Sequence, residues 1–372
     1  MEQARLIHMH PDQACVEITR NMAETFPMTG GTGLYSYTNN STKQKEGAEA
    51  AKSMLLEGII ENLEIEHNSS NLFTVADLGC STGPNTFISV NNIIGGVINA
   101  YKTKTKGYND NLLPEFQVYF NDHLSNDFNT LFTNFPSDRK YFGYGVPGSF
   151  HGRLFPRSSL NFAYSAFALH WLSRAPPELS DLSSGICNKG RIHYANAPNE
   201  VCEAYSAQYG SDMESFLSGR AEEIVPGGLM ALLIPGRPNG TLPSEFSLGQ
   251  LFLPLESCLV DMANEGILSW DKIDSFNLPM YNPSIEEVIN LIQKNGQFSI
   301  TKLEKIPAKS AIPIPNPRET RSGFETILKA HFGNELTEEL FKRYEVRFAE
   351  LYSERTADPF AVGLFILLKR RH

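Results

Sequence analysis

Long apolar runs are missing from this 372-residue sequence. The longest such run near the carboxyl terminus, residues 362–368, is far too short to cross the hydrocarbon core of a bilayer. The first 30 residues mix polar and charged groups and lack the apolar segment that a secretory signal requires. We therefore expect a cytoplasmic protein that has no membrane partner.

Paired cysteines are missing as well. The five cysteines are odd in number, are scattered along the chain and form no Cys-x-x-Cys pair; they are Cys15, Cys80, Cys187, Cys202 and Cys258. This pattern predicts neither a zinc site built from cysteines nor a disulfide framework. It agrees with a reducing compartment.

Positive charge is scarce, because 32 Lys and Arg residues face 42 Asp and Glu residues and give a formal net charge of −10. A general nucleic-acid-binding protein needs a concentrated basic surface. The one short basic cluster, residues 369–371, reads as a solvated tail. We expect no nucleic-acid partner. The sequence also contains no Gly-x-Ser-x-Gly elbow, no His-Glu-x-x-His motif and no Walker loop.

Helical and strand patterns alternate along the chain. Apolar residues recur at helical spacing over residues 43–63, and strand patterns occupy residues 72–76, 116–120, 160–172 and 228–234. Alternation of strands and helices is typical of a mostly parallel sheet with helices on both faces. The sequence therefore predicts an α/β fold with a Rossmann-like, doubly wound sheet.

The rhythm changes in the last third of the chain, which predicts an inserted cap. We expect a weakly ordered extension over residues 1–27 and a cofactor-binding core over residues 28–245, with short cap elements near residues 178–200. Residues 246–321 are mainly helical in pattern and end in a proline-rich loop, as a substrate cap would. Residues 322–372 are expected to return to the core sheet.

The strongest local signal is a strand that runs into a glycine turn. Gly79 and Gly83 frame the turn, Asp77 precedes it, and Pro84 suits the first position of the following helix. Glycine permits a tight turn and a close approach to a ligand, and a helix N-terminus offers free N–H groups. Ser81 stands where a dinucleotide fingerprint has its second glycine, so the form favours a methyltransferase over a dehydrogenase. An ordinary tight turn is the alternative.

Acidic residues follow the next strand. Asp122 stands at the strand end, where a carboxylate can accept hydrogen bonds from the two ribose hydroxyls of a nucleoside. A plain helix cap is the alternative for this residue. Asp127 fits the role of helix cap better.

Taken together, these segments resemble the SABATH family of plant methyltransferases, whose members use S-adenosylmethionine and act on salicylate, jasmonate, farnesoate, indole-acetate, gibberellins, loganate and xanthine alkaloids. The resemblance extends from about Met28 to the carboxyl terminus. The matching blocks are residues 30–31, 36–37, 40–41, 76–85, 121–122, 126–129, 146–150, 169–173, 188–190 and 274–279.

The resemblance implies a set of residues around S-adenosylmethionine. The residues that would line the cofactor site are Tyr37, Ser41, Asp77, Asn85, Asp122, Ser149 and Phe150, with His123 and Ser165 nearby. Asp122 would bind the ribose, while Ser149 and Phe150 would border the adenine. Aromatic surface and backbone oxygens would surround the sulfonium.

The resemblance also implies an acceptor site. Gln44 and Trp171 would hold the substrate carboxylate, and His170, beside the tryptophan, would help to set specificity. Salicylate-preferring relatives carry Met at the His170 position and Tyr at the Phe167 position, so we expect a different acid, of terpenoid or larger type. The alternative for His170 is a hydrogen-bonded histidine of the core.

Two further properties rest on the resemblance alone. Some relatives hold a magnesium-type ion away from the chemistry, and its ligands here would be the side chains of Asn188, Asp274 and Asn277 with the carbonyl of Phe276. A hydrogen-bonded loop clasp is the alternative for this group. Relatives also imply a homodimer.

The expected reaction is the methylation of a carboxylate oxygen by direct in-line displacement. A carboxylic acid with a pKa of about 4 is already ionised at neutral pH, so no general base and no catalytic residue in that sense is expected. One rival function is N-methylation of a xanthine-type heterocycle. Others are a catalytically inactive binding protein and, more remotely, a nicotinamide-dependent dehydrogenase.

Overall fold

The computed structural model describes residues 26–65, 71–179, 185–245, 247–306, 316–352 and 362–372, and for residues 247–251 the backbone alone. The expected extension lies outside these ranges apart from residues 26 and 27. Most of the expected proline-rich loop, residues 307–315, lies outside them too. No helix in the described ranges has the length and apolar character needed to span a membrane.

A single mixed sheet organises the described residues. Its strands are β1 (Leu72–Leu78), β2 (Glu115–Asp122), β3 (Phe142–Pro147), β4 (Leu160–Ala166), β5 (Ile224–Gly236), β6 (Phe298–Lys305) and β7 (Val362–Arg370). They lie in the order β3-β2-β1-β4-β5-β7-β6. The pairs among the first five strands are parallel, and β7 runs antiparallel to both β5 and β6. The predicted Rossmann-like sheet is confirmed.

The strand order reverses at β1, which pairs with β2 on one side and with β4 on the other. In open sheets of this kind, ligands bind in the crevice at the carboxyl ends of the strands on either side of such a reversal. Leu78, the last residue of β1, pairs with Asn121, the penultimate residue of β2. The glycine turn after β1 and Asp122 at the end of β2 therefore lie side by side at the carboxyl ends of these strands.

Helices cover both faces of the sheet. They are α1 (Thr42–Ala50), α2 (Lys52–Asn62), α3 (Pro84–Lys104), α4 (Phe128–Thr133), α5 (Asn199–Glu223), α6 (Ser247–Asn264), α7 (Trp270–Asp274), α8 (Ile285–Asn295), α9 (Pro317–Phe332) and α10 (Asn334–Tyr352). The predicted single helix over residues 43–63 is two consecutive helices, which meet at the buried Ala51, where φ is −86° and ψ is −5°.

Three apolar clusters define the layers. One lies on the face covered by α2 and α3, and includes Ile59 and Val90. A second lies on the opposite face under α5 and α8, and includes Phe216 and Val288. The third cluster draws its members from α6, α7, α9 and α10 and the adjoining loops, so these four helices form the cap. Trp171 packs against this third cluster, at the junction of core and cap.

The elements do not follow the predicted division at residues 246 and 322. β6 lies inside the segment assigned to the cap, yet it joins the sheet beside β7. Helices α9 and α10 lie mostly in the segment assigned to the core, yet Phe324 and Phe341 belong to the cap cluster. The reason is that the two strands of the antiparallel pair, β6 and β7, are separated in sequence by cap helices. The chain runs from α6 and α7 in the cap to β6 in the sheet, then to α9 and α10 in the cap, and finally to β7 beside β6. The cap is built from two chain segments.

Candidate active site

The glycine turn follows β1 directly. Gly79 has a φ of +88°, and a Cβ on it would lie 2.5 Å from the Cβ of Ala168 and 3.6 Å from a ring carbon of Phe150. Only glycine fits this conformation and this approach. The N–H groups of Gly79 and Cys80 both donate to the carbonyl of Asn121, at 2.9 and 3.0 Å. The predicted turn is thus present and is tied to the end of β2.

Helix α3 begins at the end of this turn. Pro84 occupies its first turn, and Gly83 stands at the cap position with no side-chain hydrogen bond to the helix. Proline lacks an N–H, which is not needed at this point, and its ring favours helical φ. The N-terminus of a helix of this length therefore faces the crevice without a side-chain cap, which favours a polar or anionic ligand group there.

Asp122 holds the turn from the end of β2. Its Oδ2 accepts the N–H of Ser81 at 2.7 Å, and its Oδ1 accepts the N–H of His123 at 2.8 Å. Burial raises the pKa of Asp122 against the lowering effect of these bonds. The alternative of a helix cap is wrong for Asp122, because Asp127 caps α4 by accepting the N–H of Thr130 at 2.9 Å.

A second carboxyl group is buried beside the first. Asp77 of β1 accepts a short hydrogen bond from the hydroxyl of Thr86 in α3. Burial raises the pKa of Asp77 to about 7, the Thr86 bond opposes this shift, and the charge of Asp122 adds to it. Among the described residues, no Lys or Arg forms an ion pair with either aspartate. The pair therefore favours a cationic ligand at this edge.

The segment before α1 closes one side of the crevice. The Asn85 amide donates to the hydroxyl and the carbonyl oxygen of Ser41, both at 3.0 Å, and the hydroxyls of Thr38 and Thr82 are 3.3 Å apart. Burial raises the pKa of the Tyr37 hydroxyl, and the charge of Asp122 raises it further. Tyr37 and Ser41, predicted from distant blocks, are therefore brought to Asn85 and the glycine turn.

The loop after β3 closes the other side. The Asn121 amide donates to the carbonyls of Val146 and Gly148 at 2.7 and 2.9 Å. Phe150 is buried, and its ring centroid lies 6.5 Å from that of His123. Ser149 is half-buried in the same loop. The predicted adenine-side residues thus stand together.

Ser165 lies under the turn rather than in the open crevice. It is buried in β4, and its hydroxyl donates to the carbonyl of Leu78 at 2.9 Å. This bond fixes the end of β1. The structure gives Ser165 a supporting position next to the predicted cofactor residues.

A buried ion pair supports the Phe150 loop, and the sequence analysis missed it. Arg220 donates to the carbonyls of Phe150 and Gly152, each at 2.8 Å, and to Glu223 at 2.7 Å. Glu223 in turn accepts the N–H of Phe155 at 2.9 Å, and both charged side chains are fully buried. The only indication of this pair in the sequence is that Arg220 and Glu223 lie three residues apart, a spacing that is common for ion pairs on exposed helix faces.

The acceptor side lies where β4 meets the cap. The backbone of Trp171 bridges to Met280, and its ring centroid lies 5.5 Å from that of Phe324 in α9. His170 is buried beside it, with the ring centroids 5.9 Å apart. Burial lowers the pKa of His170 to about 4, so the imidazole is neutral at neutral pH. Its Nδ1 and the Oε1 of Gln44 are buried without a hydrogen-bond partner.

Phe167 connects this side to α1. Its φ is +53°, unusual for an aromatic residue, and its N–H donates to the carbonyl of Leu233 at 2.8 Å. The ring lies over Gly47, where a Cβ would approach the ring tip to 2.5 Å. Gln44 stands one turn earlier on the same helix. The structure therefore places Phe167 against the helix that carries the predicted carboxylate ligand.

Asp212 of α5 supports the segment after Trp171 and was not predicted. It accepts the N–H of Ser173 at 2.8 Å and the Ser173 hydroxyl at 2.7 Å. The Gln208 amide donates to the same carboxylate at 2.9 Å. No motif pointed to Asp212, because the contact joins residues 39 positions apart in the sequence.

The predicted magnesium ligands form a hydrogen-bonded group. The Asn188 amide donates to the Oδ1 of Asn277 at 2.9 Å, and Asp274 accepts the N–H of Gly190 at 2.8 Å. Phe276 packs its ring against Phe332 in the cap, and its carbonyl belongs to the same loop. Within the described ranges, no three His, Cys, Asp or Glu side chains come together as a metal cluster. These bonds fit the loop clasp. The Oδ1 of Asn188 is buried in this group without a hydrogen-bond partner.

Comparisons with known proteins agree with this geometry. A family model described as SAM-dependent carboxyl methyltransferase matches residues 23–371. Loganic acid O-methyltransferase of Catharanthus roseus is 41% identical over 366 residues, which cover 94% of this chain and 95% of the relative. Paraxanthine methyltransferase 2 of Arabidopsis thaliana is 38% identical over 331 residues, covering 88% and 93%.

A solved structure extends the comparison to the fold. The structure of a loganic acid methyltransferase with SAH has a TM-score of 0.87 and 40% sequence identity, and the match covers 93% of this chain and 99% of that one. The resemblance noted in the sequence is confirmed. This chain belongs to the S-adenosylmethionine-dependent carboxyl methyltransferases, and its activity is carboxyl O-methylation with that cofactor.

Proposed function

We propose that the acceptor is a small terpenoid acid of the iridoid type, held between Gln44, His170 and Trp171. Two relationships support this choice: the 41% identity to a loganic acid O-methyltransferase, and a solved loganic acid methyltransferase with a TM-score of 0.87. The observation that carries it is the acceptor side itself, where the indole of Trp171 lies beside a neutral, buried His170.

The residues present fit the methyl donor. A Cβ on Gly79 would clash with Ala168, and Asp77 and Asp122 are buried with no Lys or Arg ion pair among the described residues. We assign Asp122 to the ribose, Phe150 and Ser149 to the adenine, and the Asp77 edge to the charged end of the nucleoside. The remaining cofactor contacts would come from Tyr37, Ser41, Asn85 and His123, with Ser165 beneath them.

When bound, S-adenosylmethionine supplies an electrophilic methyl group on a sulfonium sulfur. The protein's part is to hold a carboxylate that is already ionised, so no residue needs to remove a proton. The Trp171 ring N–H and the Gln44 amide would donate to that carboxylate and orient one oxygen toward the methyl group. Alignment at about 3–3.5 Å and exclusion of water by the cap supply the rate.

His170 adds a polar contact that a hydrocarbon side chain does not offer. A neutral imidazole carries one N–H donor and one acceptor nitrogen. In this chain the imidazole would select acids that have a polar group near the carboxylate, and Phe167 would limit the width of the pocket. His170→Met should shift preference from polar iridoid acids toward apolar acids by about tenfold in kcat/KM, the effect of roughly one hydrogen bond.

The proposal is tested by incubating the purified protein with methyl-labelled cofactor and a panel of iridoid, jasmonic, benzoic, indolic and gibberellin acids. Xanthines are included, and products are identified by mass. We expect a methyl ester of an iridoid acid to dominate. Preference for another acid would overturn the acceptor assignment, methylation at a xanthine nitrogen would favour the rival function, and binding of S-adenosylhomocysteine with no product from any acid would indicate a binding protein.

A magnesium ion at Asn188, Asp274, Phe276 and Asn277 is a separate proposal. It is supported by the buried, unpartnered Oδ1 of Asn188 and by the all-oxygen donor set. Thermal unfolding with and without magnesium tests it. A rise in melting temperature with magnesium that Asn188→Ala abolishes would support the ion. Identical unfolding curves of the wild type with and without magnesium would indicate a hydrogen-bonded loop clasp instead.

A homodimer in the cytoplasm is also proposed, on the resemblance alone. Light scattering of the purified protein at micromolar concentration measures its mass directly. A value near 83 kDa, about twice the chain mass of 41.5 kDa, is expected for the dimer. A mass equal to that of one chain would contradict it.

A further inference from the structure

Asp127 makes two different sets of contacts with one carboxylate. On its own side of the chain it caps α4, because Oδ1 accepts the N–H of Thr130 at 2.9 Å and Oδ2 accepts the Thr130 hydroxyl at 2.6 Å. Oδ2 also accepts the N–H of Gly31 at 2.9 Å, across 96 positions of sequence. A helix cap needs only the first set of contacts.

The approach of the chain at Gly30 is unusually close. A Cβ on Gly30 would lie 2.8 Å from Oδ2 of Asp127 and 2.9 Å from its Cβ. Gly31 has a φ of +72°, a conformation that favours glycine. The glycine pair therefore lies directly on the Asp127 side chain. By contrast, a Cβ on Gly33 would meet no atom within 4 Å.

Charge strengthens this contact. Burial opposes ionisation of Asp127, but hydrogen bonds from Thr130, Gly31 and Asn129 outweigh it and hold the pKa of the carboxyl below its usual value. The carboxylate is therefore ionised at neutral pH. A hydrogen bond from an N–H to a charged oxygen is stronger than one to a neutral oxygen.

Gly30 and Gly31 lie near the start of residues 29–37, the segment that covers one side of the crevice. Thr29 donates its N–H to the carbonyl of Ser322 in α9 at 2.9 Å, and its own carbonyl accepts the N–H of Tyr37 at 2.8 Å. The guanidinium of Arg321 lies 3.9 Å from the centre of the Tyr35 ring. Residues 29–37 thus form a loop that is closed by the hydrogen bond between Thr29 and Tyr37, contacts the cap through Thr29 and Tyr35, and carries Tyr37 beside Asp122.

We propose that Asp127 is a positioning residue for the cofactor site, which fixes the Gly30–Gly31 turn and so sets Tyr37 and Ser41 against the glycine turn after β1. This inference rests on the proposed cofactor placement and goes beyond it. Asp122 ends β2 and Asp127 lies five residues later, so one short segment would hold the ribose and also the covering loop. No contact between Asp127 and the cofactor is implied.

The test separates the two sets of contacts. Asp127→Ser keeps a good helix cap but is too short to reach Gly31, so the melting temperature should stay within a few degrees of wild type. The dissociation constant for S-adenosylhomocysteine, measured by calorimetry, should rise about tenfold, as expected for loss of a charged hydrogen bond. The KM for S-adenosylmethionine should rise similarly, with kcat changed less.

A double-mutant cycle makes the test specific. Gly30→Ala should weaken cofactor binding because its methyl group meets Asp127, while Gly33→Ala should match wild type. In the Asp127→Ser background the contacts with the carboxylate are removed and only the 2.9 Å contact with Cβ remains, so Gly30→Ala should cause a smaller further loss than in the wild type. A lower melting temperature with unchanged cofactor binding in Asp127→Ser, or additive effects in the cycle, would overturn the inference. Failure of the wild type to bind S-adenosylhomocysteine would instead refute the proposed cofactor site.

Discussion

The cofactor side and the acceptor side of the crevice are built differently. On the cofactor side, the backbone fixes the acidic group at the end of β2, because Asp122 accepts two backbone N–H groups, while Ser81 Oγ and His123 Nδ1 are buried without partners. On the acceptor side, Gln44 Oε1 and His170 Nδ1 are buried without partners. The two sides therefore differ in charge: the first contains two buried carboxyl groups, while the polar side chains of the second, Gln44 and His170, are neutral.

The largest effect is expected when the buried ion pair that supports the cofactor side is broken. Arg220→Ala should lower the free energy of unfolding by about 3–5 kcal/mol, because it leaves Glu223 charged and buried without its partner. The exposed pair of Arg157 and Glu222 provides the control, and Arg157→Ala should change it by less than about 1 kcal/mol. Denaturant titration measures both. A small loss for Arg220→Ala would show that the Phe150 loop does not depend on this pair.

The second largest effect is expected at Asp122, and it tests whether this residue binds the cofactor. Asp122→Ala should weaken binding of S-adenosylhomocysteine by about 1–3 kcal/mol, since it removes acceptors for the ribose and for the turn. Asp110, an exposed aspartate in the loop before β2, is the matched control, and Asp110→Ala should bind like wild type. Calorimetry gives both dissociation constants. An unchanged value for Asp122→Ala would mean that the ribose lies elsewhere.

The acceptor side should respond separately. Trp171→Ala should lower kcat/KM for the acid by roughly 10–100-fold, from loss of a hydrogen bond to a charged group, while cofactor affinity stays the same. Trp270, the second tryptophan of the chain, is exposed in α7, and Trp270→Ala should leave both values unchanged. Steady-state kinetics and calorimetry together decide the matter. Equal losses of acid use and cofactor affinity would contradict the separation of the two sides.

The smallest effect is a pH dependence confined to the cofactor side. Burial raises the pKa of Asp77 to about 7, and a cationic ligand favours the ionised form, so binding lowers that pKa and releases a proton. Affinity for S-adenosylmethionine should therefore rise with pH, by at most about tenfold per unit below pH 7, and level off above it. Asp77→Asn should flatten the curve. A wild-type curve that is flat from pH 5.5 to 8.5 would show that Asp77 does not titrate.

Much of this architecture was readable in the sequence because it rests on short-range rules. The run before Asp77, the Gly79 bend and Pro84 predict a strand, a turn and a helix start, and all three are present. The alternation of strands and helices predicted the parallel part of the sheet, which the structure confirms. The matching blocks predicted the family, which the comparisons confirm.

Other features were not readable, because they depend on which elements become neighbours. The cap boundaries differ from the prediction since the antiparallel pair of β6 and β7 sends the chain out of the cap and back into it. The supports of the site, Arg220 under the Phe150 loop and Asp212 beside Ser173, join residues far apart in sequence. Their residue types, charged groups on helices, usually signal exposed surface.

By itself, the sequence determined the local conformations and the chemistry available at the strand ends. Backbone sterics act over a few residues, so glycine, proline and the apolar periods reveal turns, helix starts and strands directly. The tertiary structure alone decided which charges are buried, which polar atoms lack partners, and that Asp127 meets Gly31. Those outcomes depend on the order of strands in the sheet and on the packing of two separate segments into one cap. There, residues that are far apart in sequence contact each other instead of water.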